Sequence, residues 1–144
     1  WFPKMFGRML NEFWGKVHFW GTVITFHMIF IPLFYTGIAG DHRRIFSYEG
    51  FPDLAHLHGI RVFATYSLVG MLLFQFPFVI NFFYSMFKGK VAGNNPWNGT
   101  TLEWVAPSPP PHGNFATMPT VYRGPYEYSV PGRKTDFWPQ NEPT

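Results

Sequence analysis

The chain has 144 residues, of which 47% are hydrophobic and 22% aromatic, while only 13% are charged. Soluble proteins carry about 25% charged residues, so this composition indicates a membrane protein. Cysteine does not occur, which excludes disulfides, thiolate metal sites and a cysteine nucleophile. A net charge of +3 is compatible with nucleic-acid binding, but the basic residues form no cluster, and we predict no nucleic-acid partner.

Two charge-free stretches divide the chain into predicted segments. Residues 17–40 and 62–87 contain no Asp, Glu, Lys or Arg. Each is long enough to cross a bilayer core of about 30 Å as a helix, which needs roughly 20 residues. The predicted fold is therefore an all-α membrane protein with two transmembrane helices. Its segments are a lead-in at 1–16, a helix at 17–40, an outer loop at 41–61, a helix at 62–87 and a tail at 88–144.

Polar residues and prolines interrupt both stretches. They are His18, His27, Pro32, Gln75, Pro77 and Asn81. A proline in a spanning helix leaves a backbone carbonyl unpaired, and intramembrane polar side chains usually face protein rather than lipid. The chain also begins with Trp and lacks the basic start of a signal peptide. We therefore expect a piece of a longer polypeptide whose helices pack in a larger bundle.

The tail at 88–144 is rich in proline and aromatic residues. It holds ten of the 14 prolines, and residues 107–111 should form extended polyproline II. We expect the tail to lie along a partner surface instead of forming its own core, because its many aromatic residues are unusual for disorder. A disordered tail is the alternative.

Lysine and arginine residues predict which side of the membrane the tail occupies. Such residues precede the first stretch and follow the second, namely Lys4, Arg8, Lys16, Lys88 and Lys90. By the positive-inside rule, these ends are cytoplasmic and the loop at 41–61 is outside.

The adjacent pair Arg43 and Arg44 is the main candidate for a binding function. It follows the first apolar stretch at the outer membrane edge, where guanidinium groups can bind carboxylates or phosphates in a bidentate manner. A solvated turn or a contact with lipid headgroups explains the same pattern. Spacing alone leaves these interpretations open.

The histidines do not have the spacing of a metal site. His18 and His27 would lie on roughly opposite faces of one helix, and His56 and His58 could meet a metal only from an extended loop. His112 follows the proline run alone. We interpret these side chains as histidines satisfied by hydrogen bonds, and we predict neither a metal ligand nor a catalytic residue in this chain.

Several runs of residues share their order and spacing with one protein family. They are WFP at 1–3, GRMLNE at 7–12, KVHF at 16–19, NPW at 95–97, TTLEW at 100–104, PSPPPH at 107–112 and YRGPYEY at 122–128, with Pro32, Gly37 and the pair Arg43 and Arg44 between them. Together they cover essentially the whole chain, and the tail runs are the most specific. In these runs the chain resembles the C-terminal part of subunit I of the haem–copper oxidases of the cytochrome c oxidase type.

The resemblance implies a fold, an activity and partners. The chain would supply the last two of twelve helices of an enzyme in the bacterial plasma membrane, with a cytoplasmic tail. The assembled subunit would carry two haem A groups and copper. With the rest of subunit I, subunits II and III and membrane lipid, it would take electrons from cytochrome c, reduce O2 to water and pump protons. The family's metal-binding histidines lie on earlier helices, and Arg43 and Arg44 would bind the haem propionates.

Two other functions stay open, and one departure from the family bears on the arginine pair. The chain could be the corresponding segment of a quinol oxidase subunit I, or a non-catalytic two-helix accessory or assembly protein of the oxidase complex. Where the family commonly has Met-Pro before the arginines, this chain has Asp41 and His42. Asp41 could therefore compete for Arg43 or Arg44.

Overall fold

The computed structural model describes residues 1–45, 47–127, 129–135 and 138–143. Its helices are α1 (Phe2–Phe6), α2 (Glu12–Ile38), α3 (His58–Leu73) and α4 (Gln75–Lys88), with 3₁₀ helices at Pro52–Leu57 and Leu102–Trp104. Within these described ranges the only β-type pairing is an isolated bridge between Arg8 and Val91. The chain divides into two compact units, one comprising Asn11–Phe83 and the other combining Trp1–Leu10 with the residues from Tyr84 onward.

Two helical segments are long and apolar enough to cross a membrane, Glu12–Ile38 and Pro52–Lys88. The all-α fold with two such segments is therefore confirmed. Their ends differ from those of the charge-free stretches, because charge does not stop a helix. The side chain of Asn11 accepts a hydrogen bond from the backbone N–H of Trp14, and this cap starts α2 ahead of the charge-free stretch.

In the unit Asn11–Phe83, α2 and α3 pack against each other as an antiparallel hairpin through small side chains. The buried residues of α2 are Gly21, Thr25, Ile29 and Thr36, and those of α3 are Ala64 and Ser67. Small residues let two membrane helices approach closely. The hydroxyls donate to carbonyls of their own helices, as Thr25 does to Gly21 at 2.6 Å and Ser67 to Phe63 at 2.8 Å. The hydroxyls of Thr25, Thr36 and Ser67 thus each have a carbonyl acceptor.

The second segment is interrupted at Phe74, between α3 and α4. Pro77 lies in the first turn of α4, has no backbone N–H and therefore cannot bond the carbonyl one turn earlier. The aromatic ring of Phe74 occupies the space beside Gly21, where an added Cβ would come within 2.1 Å of the ring. The break in the helix is thus accommodated by a glycine on the opposite helix.

The outward faces of the hairpin carry large apolar side chains. Phe34 is 72% exposed and Tyr66 is 73% exposed. An open apolar groove beside Pro32 is lined by Ile31, Pro32, Tyr35, Gly59, Ile60 and Phe63. Exposed apolar surface of this extent requires lipid or other helices around it.

In the other unit, the tail packs against the first ten residues of its own chain. The backbone N–H of Met9 donates to the carbonyl of Lys90, and that of Ala92 donates to the carbonyl of Gly7, each at 2.8 Å. The ammonium of Lys4 donates to the carbonyls of Asn94 and Ala106. Burial lowers the pKa of Lys4, and the nearby carboxylate of Glu103 partly opposes this.

Two expectations about the tail's own conformation need correction, whereas its contact with a partner surface stays a prediction. The chain bends at Ser108 and Pro109, so residues 107–111 do not form one regular polyproline II segment. The tail also has a small core of its own, because Gln140 is buried and ties three stretches together. Its side chain donates to the carbonyl of Arg123 and accepts from the N–H of Leu102, while its own N–H donates to the carbonyl of Thr100.

Candidate functional site

The site begins where α2 ends. The N–H of Gly40 donates to the carbonyl of Gly37, and the N–H of Asp41 donates to the carbonyl of Thr36 at 3.0 Å. Gly40 has φ 93°, a left-handed conformation that glycine adopts without steric cost. These bonds satisfy carbonyls of the last helical turn and direct the chain away from the helix axis. They thereby fix the start of the loop that carries Arg43 and Arg44.

Arg43 and Arg44 lie in a turn and are both exposed. Neither forms an ion pair with any residue that the structure describes. Arg44 has φ 64°, a left-handed conformation that costs a residue with a Cβ about 1–2 kcal/mol. Strained backbone of this kind concentrates at binding sites. The turn therefore presents two adjacent cations that are free to bind an anionic group.

Asp41 is engaged elsewhere. Its Oδ2 lies 3.3 Å from Nε of Arg61, and the two side chains are only 9% and 13% exposed. Arg61 also donates from Nη2 to the carbonyl of Leu54 at 2.7 Å, and its guanidinium lies 3.5 Å from the centre of the Tyr48 ring. The expected competition of Asp41 for the arginine pair is therefore wrong, because a third arginine at the start of the second apolar stretch holds it.

Arg61 and Tyr48 were not identified from the sequence. The available signal was an arginine directly before the stretch 62–87, where a cation is costly unless it is paired. Its partner could not be identified from spacing, since Asp41 and Arg61 are brought together only by the antiparallel hairpin.

The histidines have backbone partners or exposed positions. Nδ1 of His18 donates to the carbonyl of Phe74 at 2.9 Å, that of His27 to Val23 at 2.7 Å and that of His56 to Asp53 at 2.8 Å. His58 and His112 are exposed. The hydrogen-bonded interpretation is thus confirmed for the first three. Among the residues described, no three His, Asp or Glu side chains come together in a way that could hold a metal ion.

The arginine turn fits a ligand that carries carboxylates. Two neighbouring guanidiniums offer charge-assisted donors in fork geometry, and the nearest carboxylate in sequence is already paired. The propionates of haem are groups of this kind. The described residues offer nothing equivalent for the iron or copper itself.

Comparison with known proteins adds the family. Residues 1–73 match the family model described as cytochrome c and quinol oxidase polypeptide I. The chain is 44% identical, over 99% of its length, to the alternative cytochrome c oxidase subunit 1 of Bradyrhizobium diazoefficiens, of which it covers 25%. It is 40% identical, over 90% of its length, to cytochrome c oxidase subunit 1 of Synechocystis, of which it covers 23%.

A quinol-oxidising relative is also similar. The chain is 39% identical, over 84% of its length, to cytochrome bo(3) ubiquinol oxidase subunit 1 of Buchnera aphidicola, of which it covers 18%. The chain therefore spans a quarter or less of the length of these curated relatives.

Proposed function

The chain belongs to the cytochrome c and quinol oxidase polypeptide I family, and from this premise we propose that it acts as the C-terminal segment of the catalytic subunit of a proton-pumping terminal oxidase. The assembled enzyme reduces O2 to water with electrons from cytochrome c in aerobic respiration. This segment contributes two helices to the bundle, contacts haem propionates and contributes no ligand to a metal.

The observation that carries the proposal is the free arginine pair. Arg43 and Arg44 stand exposed on the turn after α2, while the neighbouring Asp41 is paired with Arg61. In a poorly solvated place, carboxylates need charge-assisted donors, and two adjacent guanidiniums supply them. Arg43 and Arg44 accordingly bind the propionates of the two haem A groups and stabilise their ionised form.

The remaining chemistry comes from outside this segment. When bound, haem and copper supply electron transfer and oxygen reduction, which the side chains described here do not provide. The missing ligands belong to the rest of subunit I, and the exposed apolar faces of α2 and α3 pack against its other helices and lipid. Subunits II and III and cytochrome c complete the list of partners.

The proposed setting is the plasma membrane of a bacterium. The bacterial relatives and the two apolar segments support this location. The cations at both ends of the hairpin favour a cytoplasmic tail, with the arginine turn at the outer surface. The proposed segments are a cytoplasmic lead-in at 1–16, transmembrane helices at 17–40 and 62–87, an outer loop at 41–61 and a cytoplasmic tail at 88–144.

Replacement of the two arginines tests the function. In the full-length subunit, assembled with its partners, Arg43→Gln and Arg44→Gln should reduce haem content per subunit. They should also lower the haem midpoint potentials, because a positive charge nearby favours the reduced haem. Proton pumping by Arg43→Gln should fall as well. Arg133→Gln, which removes the same charge from the tail, is the control. Unchanged haem content, potentials and pumping in the two loop variants would contradict the proposal.

The quinol oxidase remains the second candidate within the family. The similarity to the ubiquinol oxidase subunit of Buchnera favours it, although the identity is somewhat lower than that to the first two cytochrome c oxidases. Purified enzyme offered reduced cytochrome c and ubiquinol in parallel distinguishes the two by which donor supports oxygen uptake. A separate reading frame for this chain alone would instead favour a non-catalytic accessory or assembly protein.

A further inference from the structure

An acidic residue precedes the arginine pair and is kept away from it. Asp41 is separated from Arg43 by a single residue, yet its carboxylate lies against Arg61 of α3 at 3.3 Å. Both members of this ion pair are largely buried, whereas Arg43 and Arg44 are exposed. Among the residues that the structure describes, Arg61 is therefore in an ion pair, whereas Arg43 and Arg44 are in none.

We propose that Arg61 is a positioning residue that sequesters Asp41 and so keeps Arg43 and Arg44 free for carboxylate ligands. This inference rests on the proposed function, in which those ligands are haem propionates. Arg61 itself does not touch the ligand. It acts by removing an internal competitor for the same two guanidiniums.

Arg61 is held in place on three sides. Its Nη2 donates to the carbonyl of Leu54 at 2.7 Å, and its guanidinium carbon lies 3.5 Å from the centre of the Tyr48 ring. The third contact is the ion pair with Asp41, in which Nε and Oδ2 lie 3.3 Å apart without the geometry of a hydrogen bond. A guanidinium fixed by a carbonyl and an aromatic ring is already oriented before it meets the carboxylate, so little side-chain freedom is lost when the pair forms.

The backbone of Asp41 is also held in place. Its backbone N–H bonds the carbonyl of Thr36, whose side chain is buried at the end of α2. Its Oδ1 is buried and has no hydrogen-bond partner among the described residues. A buried carboxylate that loses its counter-ion is strongly unfavourable, so it must move or find another cation. Arg43 and Arg44 are the cations closest to it along the chain, and the short connection favours their capture.

The test uses the full-length subunit in its assembled complex, with haem midpoint potentials and haem retention in detergent as measurements. The variants are Arg61→Met, Asp41→Asn and the two combined. Asp53→Asn, which neutralises an exposed acid in the same loop, is the matched control. Arg61→Met should lower the midpoint potential and accelerate haem loss, because Asp41 then neutralises the arginine pair. Asp41→Asn should cause only a small upward shift, and the double variant should return near the unmodified values.

Two other results would overturn the proposal. A pair that only stabilises the fold would change melting temperature without moving the midpoint potential. A pair that acts only through its charge would give equal and opposite shifts in the two single variants. If Arg61→Met does not assemble, Arg61→Lys should give a smaller downward shift, since lysine keeps the charge but cannot bind Asp41 and the Leu54 carbonyl in the same fork. No shift with Arg61→Lys would also overturn it.

A failure of the proposed function gives a different result from a failure of the inference about Arg61. If Arg43→Gln and Arg44→Gln leave haem content and potential unchanged, the arginine pair does not bind propionates. If those variants have the expected effects while Arg61→Met has none, only the sequestration by Arg61 is wrong.

Discussion

His18 of α2 donates a hydrogen bond from Nδ1 to the backbone carbonyl of Phe74, the single residue between α3 and α4. Pro77 has no N–H for the carbonyl of Leu73, four residues earlier, and an unpaired carbonyl in lipid costs several kcal/mol. Gln75 adds a second tie, because its amide donates to the hydroxyl of Thr22 at 3.1 Å. The polar side chains of His18 and Thr22 thus compensate for the interruption between α3 and α4 by bonding the chain beside it.

Replacing His18 tests this compensation. His18→Leu should lower the stability of the assembled subunit by about 1–2 kcal/mol, in the range measured for hydrogen bonds between membrane helices. The change would be followed as the melting temperature in detergent. His27→Leu is the control, since His27 is exposed and bonds only its own helix. Equal losses in the two variants would argue against a special role for the bond to Phe74.

Gly21 should tolerate no side chain, because the Phe74 ring occupies the space that a Cβ needs. The added atom would lie 2.1 Å from a ring carbon close to the backbone, so the ring cannot simply swing aside. Gly21→Ala should destabilise the hairpin by about 1–3 kcal/mol, as overpacking usually does. Gly37→Ala is the matched control in the same helix, since nothing lies within 4 Å of its added Cβ. It should be neutral or slightly stabilising, and thermal melting of both variants would show the difference.

The sequence allowed the apolar segments and the arginine turn to be predicted because both depend on local features. The length of a charge-free stretch is sufficient to predict a spanning helix. The Arg-Arg pair that follows the first stretch is read directly from the sequence. The pairing of Asp41 with Arg61 was not predictable, because it requires α2 and α3 to be aligned side by side. The same holds for Gly21 and Phe74, whose contact depends on the register of the hairpin.

The tail was predicted less well, for a different physical reason. Its prolines and aromatic residues indicated an extended segment that needs a partner. The structure adds backbone bonds to residues 7–9 and the buried amide of Gln140, while contact with a partner stays a prediction. Such bonds involve no periodic pattern of apolar residues, so composition alone does not reveal them.

Asn81 should be required for the start of α2. Its side chain is 3% exposed, accepts from the N–H of Asn11 at 3.0 Å and donates to the carbonyl of Asn11 at 2.9 Å. Asn81→Ala removes both bonds, after which the N–H of Asn11 must find water while its carbonyl keeps the N–H of Gly15. At about 1 kcal/mol for each bond, the loss should be about 2 kcal/mol.

Thermal melting of the assembled subunit would measure the loss, with Asn141→Ala, at a partly exposed tail position without a positive φ, as the comparison. An Asn81→Ala variant as stable as the unmodified protein would show that water replaces the amide without cost.

Lys4 should hold the beginning of the tail. Its ammonium bonds the carbonyls of Asn94 and Ala106 and lies 5.4 Å from the centre of the Trp104 ring. Lys4→Met keeps the aliphatic stem but removes the donors, so residues 94–106 should become more accessible to protease. Lys88→Met, at an exposed lysine that ends α4, is the control. Limited proteolysis followed by mass spectrometry would compare the cleavage rates, and equal rates would exclude this tie.

Arg44 should show a conflict between stability and ligand binding. Because its φ is 64°, Arg44→Gly should relieve a strain of about 1–2 kcal/mol, offset by about 0.5–1 kcal/mol from the greater freedom of glycine in the unfolded chain. The melting temperature should therefore stay constant or rise slightly, while haem is lost more readily. Arg43→Gly removes the same charge at a position where no positive φ is recorded, so it should lower both stability and haem retention. If Arg44→Gly also melts at a lower temperature, the left-handed turn is not a source of strain.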